Sequence, residues 1–166
     1  MDAGATDERK IASDVLHIRA YAEADEPHVR DLLGGLPDLY PHGDKWLDRT
    51  FGEIRQGKAR LTVGEIGNDI VAVSIEKPKS RGRMKLSTLY IHPDFRNMRV
   101  GFSFFSDLDT RWRREGWSEV YMTVASQGAY EVERLVKAFG FACIAVQEDR
   151  YGPGRNELVI SNVSGS

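Results

Sequence analysis

The sequence predicts a single mixed α/β (α+β) domain, with a mostly antiparallel central sheet flanked by helices on both faces. Three observations predict it. Segments with strand character at 59–66, 70–76 and 84–92 follow one another across short turns, the pattern of an antiparallel meander. A strand–helix–strand unit over 84–124 calls for a parallel crossover, because parallel neighbours need a long connection. Two last strand-like segments, 141–147 and 157–161, are joined by the turn-rich Tyr151-Gly152-Pro153-Gly154, which marks a closing hairpin.

Each element has its own warrant. Met1 to Asp14 is small and charged without periodicity and reads as a flexible tail, as do 163–166 at the other end, leaving 15–162 as the domain. Val15 to Ala20 is a short strand. Asp25 or Glu26 opens a helix with Pro27 in its first turn, Val29, Leu32 and Leu33 on one face, and Gly34-Gly35 as its stop. After the loop Leu36 to Gly43, Trp46, Leu47, Phe51 and Ile54 recur at helical spacing over 44–56. Leu61 and Val63 lie on one side of the next strand, and Gly67-Asn68-Asp69 turns the chain into the β-branched run 70–76. Lys79 to Gly82 is a second turn, and Pro93 ends the third strand. Val100, Phe104, Leu108 and Trp112 step by four along a helix over 100–116. A strand over 117–124 follows, then a helix over 129–139 carrying Val132, Leu135, Val136 and Phe139, closed by Gly140.

A length of 166 residues suits one domain, and 41% hydrophobic with 29% charged residues excludes a disordered chain or a disulfide scaffold. A net charge of −2 argues against a globally basic nucleic-acid binder. The single cysteine, Cys143, cannot form an internal disulfide and reads as core packing in an apolar strand. No segment has the length and apolarity of a membrane span or a leader, so the expected location is the cytoplasm. The histidines at 17, 28, 42 and 92 are scattered, which predicts no metal site.

The segment Leu89-Tyr90-Ile91-His92-Pro93-Asp94-Phe95-Arg96-Asn97-Met98-Arg99-Val100-Gly101-Phe102-Ser103 carries the chemistry. A strand ends at a proline, a short basic loop follows, and a helix begins. Helix N-termini present N–H groups and partial positive charge, which favour phosphate. Arg96 and Arg99 add full charges, and Gly101 leaves room for close approach to the backbone. A second basic stretch, Lys77, Lys79, Arg81, Arg83 and Lys85, alternates around the hairpin. It reads first as a solvated or edge-protecting surface, and second as a contact for nucleic acid or an acidic partner. Arg111, Arg113 and Arg114 form a further cluster.

The order of elements, the Leu89-to-Phe102 segment and Phe139-Gly140-Phe141 together resemble the GNAT superfamily of acetyl-CoA-dependent N-acyltransferases, over about residues 16 to 161. Arg96 matches the first position of that family's pyrophosphate-loop motif and Gly101 the last. The resemblance implies acetyl transfer from acetyl-CoA to a primary amine of a small molecule or protein. It implies that Leu89, Tyr90 and Ile91 border the pantetheine arm, in a gap between two splayed strands. Arg96, Asn97, Met98, Arg99, Val100, Gly101, Phe102 and Ser103 would then hold the phosphates. The acceptor wall would include Tyr40, His42 and Trp46.

The sequence departs from the family pattern in three respects. Arg99 replaces the first motif glycine, where it either clamps phosphate or obstructs the cofactor. Val136 stands where many members carry an acidic tyrosine, and Ala129 where an asparagine is common. No carboxylate lies at Lys85-Leu86-Ser87-Thr88, where some members place the base. Glu76 as base, and Ser126, Tyr130 or Tyr151 as acid, are the substitutes the sequence offers. The departures keep two alternatives open: a non-catalytic CoA-binding or interaction module, and an acyltransferase acting on a tRNA-linked or nucleic-acid-associated amine. Apolar strand edges also make a homodimer an expectation.

Overall fold

A computed structural model describes residues 15–34, 43–96, 99–150 and 152–163. Its strands are β1 (Leu16–Ala20), β2 (Arg60–Ile66), β3 (Asp69–Lys79), β4 (Arg83–Ile91), β5 (Glu119–Ala125), β6 (Ala142–Gln147) and β7 (Glu157–Ser161). Its helices are α1 (Glu26–Leu32), α2 (Gly43–Arg55), α3 (Val100–Glu115) and α4 (Ala129–Lys137). The seven strands form one sheet in the order β1-β2-β3-β4-β5-β7-β6. β4 and β5 are parallel, as the crossover requires, and β5–β7, β6–β7 and β1–β2 are antiparallel. The contacts divide into two compact units: Met1–Ile75 with Leu89–Phe104, and Glu76–Thr88 with Phe105–Ser166.

The first unit is built on the apolar stripes of its two short helices. Val29 and Leu33 from α1 and its C-cap join Leu47 and Phe51 of α2 over Leu61, Val63, Val73 and Ile75 of β2 and β3. The residues at 29 and 33, and at 47 and 51, stand four apart, which puts each pair on one helix face. Arg19 of β1 grips both oxygens of Asp25, at 2.7 and 2.8 Å, and also pairs with Glu65 of β2. Asp25 in turn accepts the Ala22 N–H at 2.8 Å, tying the start of α1 to the strands. Gly64 is required by packing: a Cβ there would lie 3.0 Å from Leu16 Cδ1, 3.1 Å from Ala72 Cβ and 3.2 Å from Phe104 Cδ2.

In the second unit alternate strand residues are buried. Met84, Leu86, Val120, Met122 and Ile160 make one face, joined in the core by Phe105, Leu108 and Trp112 of α3 with Val136 and Phe141. The rings of Phe105, Trp112, Phe139 and Phe141 pack edge-on or tilted at 5.0 to 6.3 Å between centroids. Gly140, at φ 84, turns the chain from α4 into Phe141, the use expected of a glycine after a helix.

Three sequence expectations are corrected. β3 runs to Lys79 rather than stopping at Glu76, because the reversal is made by Arg81 and Gly82 at φ 64 and 72. β5 starts at Glu119, not Trp117, since Ser118 is spent on the β3–β4 turn: its N–H and its hydroxyl donate to Gly82 O, each at 2.9 Å. Cys143 is exposed rather than core, because β6 is the outermost strand beside β7 and all six of its residues are exposed. A run of small apolar residues looks the same in sequence whether a strand is central or at the rim.

Candidate functional site

The junction of β4 and α3 lies wholly within the first unit. β4 ends at Ile91, and His92 fixes the turn that follows. The His92 N–H donates to Val71 O at 2.8 Å, its Nδ1 accepts the Asp94 N–H at 3.1 Å, and its carbonyl accepts from Phe95 N at 2.9 Å. The Phe95 ring meets the imidazole edge-on at 5.6 Å. Pro93 supplies the fixed φ of a single 3₁₀ turn over Pro93–Phe95. Arg96 then folds back. Its Nε donates to Ile91 O at 3.0 Å, and its guanidinium lies 5.5 Å from the Tyr90 ring centroid. Arg96 therefore fastens the loop to the strand while its terminal nitrogens remain beyond that bond.

Arg99 is the residue before α3, and its φ is 59. This is the left-handed backbone that favours glycine, and an arginine occupies it at a cost of roughly 1–2 kcal/mol. Ser103 N donates to Arg99 O at 3.1 Å, so the amides of Val100 and Gly101 lie ahead of that turn of the helix. No acidic side chain stands in the first turn of this 16-residue helix, and the exposed Arg99 guanidinium lies 5.9 Å from the Phe102 ring centroid. Val100 is buried and anchors the helix start, whereas Phe102 and Ser103 are exposed. A helix head, an arginine beside it and a second arginine in the loop form a donor set that suits a pyrophosphate.

The described candidate catalytic residues, Glu76, Ser126 and Tyr130, fall in the second unit. Glu76 is fully buried. One carboxylate oxygen pairs with Arg111 and the other accepts Trp112 Nε1–H at 3.1 Å. Both oxygens are committed inside the protein, so in this arrangement Glu76 offers no open site for an acceptor's proton. The Arg111 cluster is divided in the same way: Arg111 belongs to Glu76, while Arg113 pairs with Asp109 at 2.9 Å. Tyr130 is 76% exposed on α4. Ser126 is exposed just beyond β5, where its N–H donates to Asn156 O at 2.9 Å. Val136 is buried. Tyr151, Tyr40, His42, Asn97 and Met98 lie outside the described residues, and Trp46 packs partly buried against the first unit's core.

The ladder between β4 and β5 covers only Arg83–Lys85 against Glu119–Tyr121. Within the second unit, Leu86–Thr88 and Met122–Ala125 run on past it, while β5 is paired to β7 along its other edge. Lys85 is the last residue of β4 paired to β5. Burial pushes its ammonium below the usual lysine range, and Lys79, Lys77 and Arg150 push it further down while Glu157 opposes them. β3 and β4 are interior in the sheet order, and Lys79 and Arg81 of the basic hairpin are exposed to solvent. Sequence reasoning missed the half-buried position of Lys85 and the Glu76–Arg111–Trp112 set. Only the adjacency of Arg111 and Trp112 on a helix facing a strand glutamate could have signalled the latter. Among the described residues no three His, Cys, Asp or Glu side chains gather as metal ligands, and no helix is long and apolar enough to cross a membrane.

No family model matches the sequence, and no curated protein matches it. Solved structures do match its fold. The ribosomal-protein-S18-alanine N-acetyltransferase from Escherichia coli superposes with a TM-score of 0.72 at 14% identity, covering 89% of this chain and 92% of that one. A GNAT family acetyltransferase from Elizabethkingia anophelis with acetyl-CoA bound gives 0.72 at 12% identity, over 89% and 97%. Ard1 from Thermoplasma volcanium gives 0.70 at 19% identity, over 88% and 95%.

Proposed function

We propose, from the premise that this chain has the GNAT acetyltransferase fold, that it transfers an acetyl group from acetyl-CoA to a primary amine. The observation that supports the reading is the β4–α3 junction, where Arg99 at φ 59 stands beside a helix head with no acidic side chain in its first turn, a donor set suited to a pyrophosphate. Acetyl-CoA, when bound, supplies the thioester. The amides of Val100 and Gly101 and the guanidinium of Arg99 hold the phosphates, Arg96 keeps the loop closed on the strand, and Leu89, Tyr90 and Ile91 border the arm. The amine nitrogen forms its bond to the acetyl carbon as the carbon–sulfur bond breaks; the amine's proton leaves and the departing sulfur gains one.

With Glu76 internally paired, the proton from the amine passes to water or to the acceptor's own groups, and the rate rests chiefly on positioning. Exposed Ser126 and Tyr130 are the hydroxyls among the described candidates for protonating the thiolate. A second reading, a CoA-binding module without turnover, is favoured by the committed oxygens of Glu76 and by buried Val136.

Thermal unfolding with acetyl-CoA separates these readings from failure of both. At 100 times its dissociation constant the ligand stabilises by about 2.7 kcal/mol, a shift of several degrees at this size. The shift is expected to vanish in Gly101→Glu and to need about tenfold more ligand in Arg99→Ala, which loses one charge-assisted contact. Thiol release with an amine panel then supports transfer. A shift without release for any amine supports the module, and no shift removes the cofactor seat.

A further inference from the structure

The β4–α3 loop is closed by a side chain that the transfer reading leaves unused. His92 stands between the last residue of β4 and Pro93, and it holds the loop at three atoms. Its N–H donates to Val71 O of β3 at 2.8 Å, which pins the strand end. Its carbonyl accepts the Phe95 N–H at 2.9 Å, and its Nδ1 accepts the Asp94 N–H at 3.1 Å. The imidazole is thus the cap of the 3₁₀ turn Pro93–Phe95, a place usually given to the oxygen of Ser, Thr, Asp or Asn. Arg96 hangs on the same turn: its N–H donates to Pro93 O at 3.4 Å before its side chain returns to Ile91 O. Every residue concerned belongs to the first unit.

An imidazole differs from an oxygen cap in one respect: a proton can occupy it. Nδ1 accepts a hydrogen bond only while it carries no proton, so this geometry selects the neutral ring with its proton on Nε2. Once Nδ1 is protonated it is a donor facing the Asp94 N–H, another donor, and the cap is lost. The Asp94 carboxylate, with Oδ2 3.9 Å from the same nitrogen, is then the acceptor within reach. The charged groups of this junction are Asp94 beside the ring, Arg96 in the loop and Arg99 at the head of α3. From β3 the ring's residue meets the neutral carbonyl of Val71, and the Phe95 ring against it carries no charge. The positive charge that arrives has the Asp94 carboxylate as its counter-ion, so the larger effect on an incoming phosphate is loss of the ordered loop.

Resting on the acetyl-CoA reading, we propose that His92 is a positioning residue with a proton switch. Neutral, it caps the loop in the form that presents Arg96 and the head of α3 to the pyrophosphate; protonated, it releases the loop and weakens cofactor binding. A histidine changes charge within roughly pH 5 to 8, so acetyl-CoA affinity is measured by calorimetry at about pH 8 and about pH 5.5. The phosphate monoester of acetyl-CoA titrates in the same range. The quantity read is therefore the loss of affinity from the higher to the lower pH in the parent, divided by that in His92→Asn. Asparagine places Oδ1, which takes no proton in this range, where Nδ1 stands, and it caps as well. The parent's loss is expected to exceed that of His92→Asn by about fivefold. His92→Leu, which has no acceptor, should bind about fivefold more weakly than the parent at the higher pH and lose no more than His92→Asn at the lower. Equal losses in the parent and His92→Asn overturn the proposal, as does His92→Leu binding as tightly as the parent at the higher pH.

Two readouts need no ligand, and they decide the matter if His92→Leu fails to fold. In the nitrogen NMR spectrum of the imidazole at the higher pH, Nδ1 is expected to be the unprotonated nitrogen; a proton on Nδ1 overturns the proposal. Hydrogen exchange of the Asp94 N–H is referred to an unstructured peptide at the same pH. Its protection is expected at the higher pH, lost at the lower pH in the parent and kept there in His92→Asn. Protection that does not change with pH in the parent overturns the proposal. Absence of acetyl-CoA binding at both pH values, with this exchange pattern present, removes the cofactor reading and keeps the switch as a property of the loop. Acetyl-CoA binding with equal losses in the parent and His92→Asn keeps the cofactor reading and removes the proposal alone.

Discussion

Two single residues hold conformations or charges that cost stability, and both costs are measurable. Arg99 sits at φ 59. Arg99→Gly relieves the left-handed strain and Arg99→Ala keeps it, so the glycine variant should be the more stable by about 1 kcal/mol in denaturant unfolding. Both lose the guanidinium, so both should bind acetyl-CoA less tightly; a stable but weakly binding Arg99→Gly would separate strain from charge. Lys85 titrates below its ordinary 10.5 because it is buried among cations. A lysine whose folded pKa is lowered destabilises the fold while it is charged, and the loss fades as pH rises through the folded value toward 10.5. Lys85→Met should therefore raise the melting temperature at pH 7, and its advantage should disappear near pH 10.5. A Lys85→Met melting temperature below the parent's at pH 7 would show that the methylene stem's packing outweighs the charge.

Among elements, the join of β1, β2 and the start of α1 rests on Arg19. Its hydrogen bonds hold the Asp25 carboxyl below the ordinary 3.8. Such a group adds stability above pH 3.8 and loses it as pH falls through the lower folded value. Asp25→Asn should cost about 2 kcal/mol at pH 7, and the gap from the parent should close in acid melts below pH 3.8. Next to Glu65 in β2, Gly64→Ala forces a methyl against Leu16, Ala72 and Phe104, and should cost about 2 kcal/mol by chemical denaturation.

What was legible in the sequence divides at this scale. The step of four in Val100, Phe104, Leu108 and Trp112 placed α3, and all four residues are buried. The meander and the parallel crossover were legible because turn chemistry and alternation are local. The partners of Glu76 were not, because a strand glutamate and a helix arginine 35 residues apart meet only through the fold. The exposure of Cys143 was hidden because composition does not reveal which strand lies outermost. Of the candidate site, the loop followed from the order strand, proline, arginine, helix; Arg96 turning back onto Ile91 O and Tyr90 did not.

Across the whole molecule, the two compact units are not two stretches of chain. The polypeptide passes between them at Ile75/Glu76, Thr88/Leu89 and Phe104/Phe105, inside β3, inside β4 and inside α3. Regular elements bridge every passage, so no flexible connector exists at those points for a protease to cut. Limited proteolysis should release neither half as a stable fragment. The order of synthesis follows too. As the chain leaves the ribosome from its N-terminus, the first unit lacks Leu89–Phe104 until Phe104 has emerged. By then 76–88, which belong to the second unit, are already outside and waiting for Phe105 onward. The segment that would seat the cofactor is thus the last part of its own unit to be made, so nascent chains halted before it should stay protease-sensitive whatever acetyl-CoA is present.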